Sequence, residues 1–447
     1  MSTSPTSRVF HRNILREYPR AVSGDDVHVV DSEGRRYLDG AGGVFVAILG
    51  HGPKEVADAV VAEIRSLNFA YTGDFATSAE ERLAAKLIEL APKGFSKVWL
   101  TTSGSTANEA ALKLARQYHV LRGQYQKSKV IARWHSYHGS TMGALSMTGT
   151  PPRRRLYTPY LLDFPHVAPP NCYRCALGRD ALTCAAACAA EIEREIRLAG
   201  PEYVSAVIVE PVAGGPLGAL VSSPEYLRAV RRICDENDVL MIVDEVVSGV
   251  GRTGDWFAID QSGVVPDLIT LGKGLGGGYV PIGAMIVRGS VYSAFEAAKT
   301  SFLHGESFTG HNVVAAAGYA VLDFIERHDL LANVRSSGAR LEERLCAFSN
   351  LPIVGMVRGR GLLFGVELVK DKHTKEPFPR ALQISERVVH ATAERGVLLL
   401  AGQAGADGVN GDTILIAPPY TVTTNQIDLI VDTLADALRG ISSDIGK

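Results

Sequence analysis

Asp267-Leu-Ile-Thr-Leu-Gly-Lys-Gly-Leu-Gly-Gly-Gly-Tyr-Val-Pro-Ile-Gly-Ala284 is the stretch on which the reading of this chain turns. Leu268 to Leu271 is a short apolar run and reads as a buried strand. It ends on Lys273, held between Gly272 and Gly274, with three more glycines before a second apolar run begins at Pro281. Glycine has no Cβ, so backbone here can approach a flat ligand closely. A Lys taken out of water has a lowered pKa and forms Schiff bases with aldehydes. Most turn lysines are simply solvated, so Lys273 decides nothing alone. Gly272, Gly274 and Gly277 also satisfy G-x-G-x-x-G, but that dinucleotide fingerprint needs a helix directly behind it. Tyr279 to Val287 reads instead as a loop and another strand.

The 447 residues are 46% hydrophobic and 21% charged, enough for a large core and for two domains of unequal size. The net charge of −2 comes without a basic stripe, which argues against a nucleic-acid partner. The apolar stretches are too short to span a bilayer. Met1 to Arg20 is polar and lacks an apolar signal core, so the chain reads as cytoplasmic.

Working outward from Lys273, the same pattern recurs. Apolar runs at 97–101, 130–133, 204–209 and 240–243 alternate with helical segments, as in an α/β fold with a mostly parallel sheet. Each ends in residues suited to a site. The first runs into Ser103-Gly104-Ser105 and a helix, with Thr106 and Glu109 spaced as a capping box. Such a turn presents free N–H groups and the positive end of a helix dipole, so it can hold a phosphate or merely be a capped helix. The second leads to Trp134-His-Ser-Tyr-His-Gly139, aromatic residues that suit either a core or a planar cofactor. The third ends in Glu210-Pro211 and the fourth in Asp244-Glu245-Val246. Carboxylates at strand ends are costly to bury without partners, and ligands of parallel sheets bind at those ends.

Elsewhere, residues 26–40 read as a hairpin and Gly40 to Gly52 as a loop. Lys54 to Leu67 and Ser78 to Leu90 have helical spacing, with Ser78 as N-cap. Helices are expected over 315–327, 330–348 and 383–395, and strands around 355–370 and 413–417. Residues 151–200 read as an insertion carrying Cys172, Cys175, Cys184 and Cys188. Four thiolates in this spacing are candidates for a closed structural zinc site; free thiols are the alternative. Disulfides are not expected in a reducing cytosol.

With these features in place, the chain resembles the class III aminotransferases of pyridoxal phosphate fold type I. The resemblance runs from about residue 26 to 435. It rests on Thr-Ser-Gly-Ser-Thr-Ala-Asn-Glu109, Tyr137-His-Gly139, Glu210-Pro211, Asp244-Glu-Val-Val-Ser-Gly-Val-Gly-Arg-Thr-Gly254, Gly-Lys-Gly274 and Ala417-Pro-Pro419. It is similar above all to the ω-aminotransferase branch, including taurine–pyruvate enzymes that share a Cys-Tyr-Arg-Cys insertion. The resemblance implies a large domain over 61–325 with a mostly parallel sheet, and a smaller α+β domain built from 1–60 and 326–447.

It also implies roles. Lys273 would hold pyridoxal phosphate through a Schiff base, and Asp244 would pair with the pyridine nitrogen and keep it protonated. Ser103, Gly104 and Ser105 would bind the phosphate. Tyr137 and Val246 would lie on opposite faces of the ring, with His138 and Glu210 close by. Lys273, Asp244 and Tyr137 would take part in catalysis. Ser307 stands where relatives contribute a phosphate ligand to the partner subunit, which implies a homodimer or a dimer of dimers. The implied reaction moves an amino group from an amine donor to a keto acid such as pyruvate. Epimerisation or decarboxylation would use the same cofactor residues. Two departures bear on substrate. Gly396 to Asp412 contains no Arg or Lys where many relatives place a carboxylate-binding Arg, and Glu306 stands where ω-type relatives often have an aromatic. A pocket-facing Glu306 would favour a neutral or basic donor; the alternatives for it are solvent, or a pairing with His304 or His311.

Overall fold

A computed structural model describes residues 7–179 and 181–445. Its centre is a seven-stranded sheet. In spatial order the strands are Phe95–Thr101, Gly283–Arg288, Leu268–Leu271, Leu240–Asp244, Val204–Val209, Lys129–Arg133 and His166–Val167. Gly283–Arg288 is antiparallel to both its neighbours. From Leu268–Leu271 to His166–Val167 every pairing is parallel. The sequence explains why: Val204–Val209, Leu240–Asp244 and Leu268–Leu271 are apolar without alternation and buried along their whole length. Strands covered on both faces read in this way.

Amphipathic helices supply the cover. Pro224–Glu236 buries Tyr226, Leu227, Val230, Ile233 and Cys234, a stripe at helical spacing, and its N-cap Ser223 accepts from the Tyr226 N–H. Ala181–Ala199 packs against it, with Cys184, Cys188, Ile192 and Ile196 in the core. The segment 151–200 is therefore integrated: it also gives the sheet its edge strand, His166–Val167. Asp267, which opens the Lys273 stretch, accepts from the Met241 N–H at 2.7 Å and pairs with Arg231 at 2.6 Å. One carboxylate thus fixes the starts of two neighbouring strands.

Two smaller sheets lie outside this unit. Ala21–Asp25, His28–Asp31 and Arg36–Asp39 form an antiparallel set that takes in Val397–Leu398, so both halves of the chain share one sheet. Val354–Arg360, Leu363–Leu368, Asp412–Ile416 and Leu400–Gln403 form the other, all antiparallel. The C-terminal helix Thr424–Ile445 packs on Leu330–Cys346 and Ile384–Glu394. Among the described residues, no helix is long and apolar enough to cross a membrane.

Three local expectations need correction. The helix at 78 starts one residue earlier, with Thr77 as N-cap accepting from the Glu80 N–H at 3.3 Å. The helix at 104 is capped by Ser103, and the capping box pairs Ser103 with Thr106 rather than Thr106 with Glu109. Glu109 is drawn off to another task, accepting from Thr141 Oγ1, Gly143 N and Ala144 N. Gly40 to Gly52 contains one tight helical turn, Gly42–Phe45, in which Gly43 and Val44 have positive φ.

Candidate active site

The ends of three strands meet in close contact. Gly272 follows Leu268–Leu271 in extended conformation, and a Cβ there would lie 2.9 Å from Gly104 N. A Cβ on Gly104 would lie 2.7 Å from Val246 Cγ1. Only glycine lets the turns after residues 101, 244 and 271 approach so tightly. Lys273 comes next with φ of 42°, a conformation costly for a residue with a side chain. Such strain persists where the surrounding packing imposes it. Burial pushes the Lys273 amine below its ordinary pKa, against the upward pull of Asp244 and Glu210. A lysine in that state has a larger neutral, nucleophilic fraction at neutral pH.

Asp244 is fixed from three sides. Oδ2 accepts from Asn108 Nδ2 at 2.7 Å and lies 2.8 Å from His138 Nδ1, and Oδ1 accepts from the Val246 N–H at 3.0 Å. The Asn108 amide also donates to the His138 carbonyl at 2.7 Å, and its own oxygen accepts from Thr270 Oγ1 at 2.7 Å. The network is dry: Asp244, His138, Asn108 and Thr270 are all buried. His138 Nε2 is buried with no hydrogen-bond partner among the described residues. Neither Asn108 nor Thr270 is marked by the sequence as a site residue: an amide one turn into a helix and a hydroxyl inside an apolar strand carry no signal of their own.

The helix Gly104–Leu121 begins beside this network. Ser103 Oγ accepts from the Thr106 N–H, and Thr106 Oγ1 accepts from the Ser103 N–H. That leaves the Gly104 and Ser105 N–H groups at the open end of the helix, without a carbonyl of a preceding turn. Ser105 Oγ accepts from the Ser140 N–H at 3.1 Å, which ties this end to the segment bearing Tyr137. The half-buried Tyr137 bonds Ser140 Oγ at 2.8 Å through its hydroxyl, and the Arg153 guanidinium sits 5.0 Å from its ring centre.

Glu210 has its own partner. Arg133, 1% exposed, reaches its carboxylate at 3.3 Å and its carbonyl at 2.9 Å, and donates to Ser222 Oγ. Pairing of this kind is what makes a buried carboxylate tolerable.

Ser307 is exposed. In its neighbour Glu306, Oε2 accepts from Thr102 Oγ1 at 2.8 Å, the carboxylate acts electrostatically on His304, and Oε1 is buried without a hydrogen-bond partner among the described residues. Arg252 donates from Nη1 to the carbonyls of Leu362 and Pro418 and stacks on Tyr420, while its Nε and Nη2 are buried without a hydrogen-bond partner among the described residues.

The cysteines converge on Cys184. Cys175 and Cys184 Sγ are 4.0 Å apart, and Cys184 and Cys188 Sγ are 3.7 Å apart. Burial opposes ionisation of Cys175, but N–H groups of Arg179, Leu177 and Gly178 bring its pKa below the usual thiol value. Burial pushes Cys184 and Cys188 up. Among the described residues, no group of three or more His, Cys, Asp or Glu side chains has the arrangement of a metal site.

The chain matches the family model for class-III aminotransferases over residues 11–438. It is 38% identical to a probable aminotransferase of Mycobacterium tuberculosis, over 96% of this chain and 91% of the relative. Among solved structures it is similar to an (S)-enantioselective omega-transaminase from Thermomicrobium roseum, with a TM-score of 0.90 at 35% identity, covering 96% of this chain and 94% of that one. It is also similar to the PMP-bound form of an aminotransferase from Vibrio fluvialis, with a TM-score of 0.89 at 30% identity, covering 96% of this chain and 94% of that one. Full-length matches of this kind, joined to strand ends that converge on Lys273, settle the classification: the chain belongs to the class III aminotransferases and has their fold type I architecture.

Proposed function

We propose that the protein transfers an amino group from an amine donor to an α-keto acid such as pyruvate in two half-reactions, with pyridoxal phosphate held at Lys273. The observation that carries this is the Asp244–Asn108–His138 network beside a lysine of lowered pKa. When bound, the cofactor supplies an electron sink for a carbon that loses a proton.

The residues present suit that group. The backbone N–H groups of Gly104 and Ser105 offer an anion site at a helix N-terminus. A Cβ at Gly104 or Gly272 would close the gap between the strand ends. Asp244, anchored by Asn108, His138 and Val246, is positioned to pair with a ring nitrogen. Lys273 moves a proton at its Nζ, first as base and then as acid. Tyr137 and Val246 border the place for a planar ring. Glu210, held by Arg133, adds negative charge that acts on Lys273. Ser307 is assigned to the phosphate site of a partner subunit, and residues 1–60 with 326–447 to the smaller domain.

The donor is read as neutral or basic beyond its reacting nitrogen, such as a diamine or amino alcohol. The support is the unpartnered Glu306 oxygen and the lack of Arg or Lys from Gly396 to Asp412. Comparing kcat/KM for putrescine with that for taurine or β-alanine tests it. A preference for the anionic donors that persists in Glu306→Gln refutes it.

Lys273→Ala tests the central assignment. It should abolish the visible absorbance of the bound cofactor and lower turnover by several orders of magnitude. Near-normal rates in that variant would show that another residue does the work.

A further inference from the structure

An α-keto acid presents a carboxylate next to its reacting carbonyl, and a cation near the site is the natural way to hold it. Most cations around these strand ends are already committed. Arg133 pairs with Glu210, and Arg252 serves two carbonyls. Arg154 donates to the carbonyls of Leu145, Ser146 and Thr148. Arg358 pairs with Glu367 and donates to Leu217 and Gly218. Arg153 differs. It is exposed, its guanidinium lies over the Tyr137 ring, and no carboxylate or carbonyl bonds that guanidinium among the described residues.

Its backbone is well placed. Pro151–Arg154 is a short turn with prolines in its first positions. Thr150 Oγ1, just before it, donates to the Ser136 carbonyl at 2.8 Å. The His135 N–H donates to the Gly149 carbonyl at 2.9 Å, and the Gly149 N–H to that of Ser136 at 3.1 Å. The turn is thereby laced to the segment that carries Tyr137 and His138. The loop over 402–411, itself without Arg or Lys, packs on the same turn: a Cβ on Gly408 would lie 2.9 Å from Pro151 Cγ. A guanidinium stacked on an aromatic face keeps its planar fork free for a carboxylate.

We propose that Arg153 binds the α-carboxylate of the keto acid acceptor, and of the amino acid formed from it. The proposal rests on the aminotransferase reading above. It divides the charges of the site, with Arg153 selecting the carboxylate of the acceptor and Glu306 acting on the distal end of the donor.

The test uses the cofactor-loaded enzyme with two acceptors, pyruvate and a simple aldehyde that lacks the carboxylate. In Arg153→Gln the pyruvate-to-aldehyde ratio of kcat/KM should fall about tenfold or more, through a raised KM for pyruvate. A smaller fall overturns the proposal. Phenylglyoxal labelling of the unaltered enzyme gives a second reading that needs no variant to fold. Pyruvate should slow the labelling of Arg153, and equal labelling with and without it overturns the proposal. Failure of the aminotransferase reading looks different: the unaltered enzyme would transfer no amino group to either acceptor.

Discussion

Lys273 and Asp244 are legible in the sequence because each ends an apolar run, where a charge has no reason to stand unless something uses it. Their chemistry depends on residues that are less legible. Asn108 holds Asp244 and His138 together, yet in the sequence it is one polar residue in a helix. Arg133 ends its strand inside the core, and only its distance to Glu210 explains it. Glu245 was visible as a strand-end carboxylate, and its role is different again. It is buried, accepts from Ser248 Oγ and Ile259 N, and has no cationic partner among the described residues. Burial raises its pKa to about 7 against those hydrogen bonds. The folded state then binds its proton more tightly than the unfolded state, whose value lies near 4.5. Stability from this group is complete below about pH 4.5 and is lost as pH rises towards 7. The loss is about 3 kcal/mol at most. Glu245→Gln mimics the protonated form at every pH. Its stability relative to the unaltered protein should therefore climb between pH 5 and 7 and level off above. Denaturant unfolding across that range reads the difference, and a flat difference would contradict the assignment.

At the scale of elements, apolar runs mark the long strands of the central sheet, because burial on both faces dictates them, but the helices Pro224–Glu236, Gly289–Ala298 and Thr424–Ile445 and the short strand His166–Val167 are not among the elements read from the sequence. Caps were less readable. Thr77 and Ser78 are both good N-caps, and sequence alone does not say which one turns extended. Thr106 and Glu109 have the right spacing for a capping box, but Glu109 is recruited by Gly143 and Ala144, far along the chain. The cysteine segment shows the same limit. Its spacing allows either a zinc site or free thiols, and it does not show that the helix Ala181–Ala199 buries Cys184 and Cys188 while the exposed Cys172 reaches Cys184 from outside that helix. Thiol titration of the native protein should find Cys172 and Cys346 reacting first, as the two exposed cysteines. Cys184, Cys188 and Cys234 should react only on unfolding, since each is buried with its pKa raised, Cys234 to about 12. If Cys172 resists until a chelator is added, the segment closes around a metal and the exposed-thiol reading fails.

At the scale of the whole molecule, the pairing of Val397 with Leu38 joins segments about as far apart in sequence as the fold allows. No local pattern announces such a contact. The family resemblance also bears on Ser307, and the surface around it gives a physical reason to expect a second copy. Leu303 is 79% exposed and Phe308 57%, on either side of Ser307, and Phe69, Tyr71 and Phe75 are exposed as well. Phe69 and Phe308 meet edge to face at 5.9 Å, with His311 stacked on Phe308 at 5.7 Å. Near the N-terminus, Phe10 and Leu15 stand 94% and 90% exposed. Apolar side chains gathered in this way on a chain of near-neutral charge mark a surface that another protein covers. A symmetric dimer would bury the patch twice and bring each Ser307 towards the other subunit. The expected outcome in sedimentation is a homodimer or a multiple of it. Phe308→Glu should weaken that assembly and raise the concentration of pyridoxal phosphate needed to restore the visible absorbance. Leu382→Glu, an exposed apolar site elsewhere on the chain, controls for added charge. A monomer that binds cofactor as tightly as the assembled protein, with full activity, would remove Ser307 from the phosphate site.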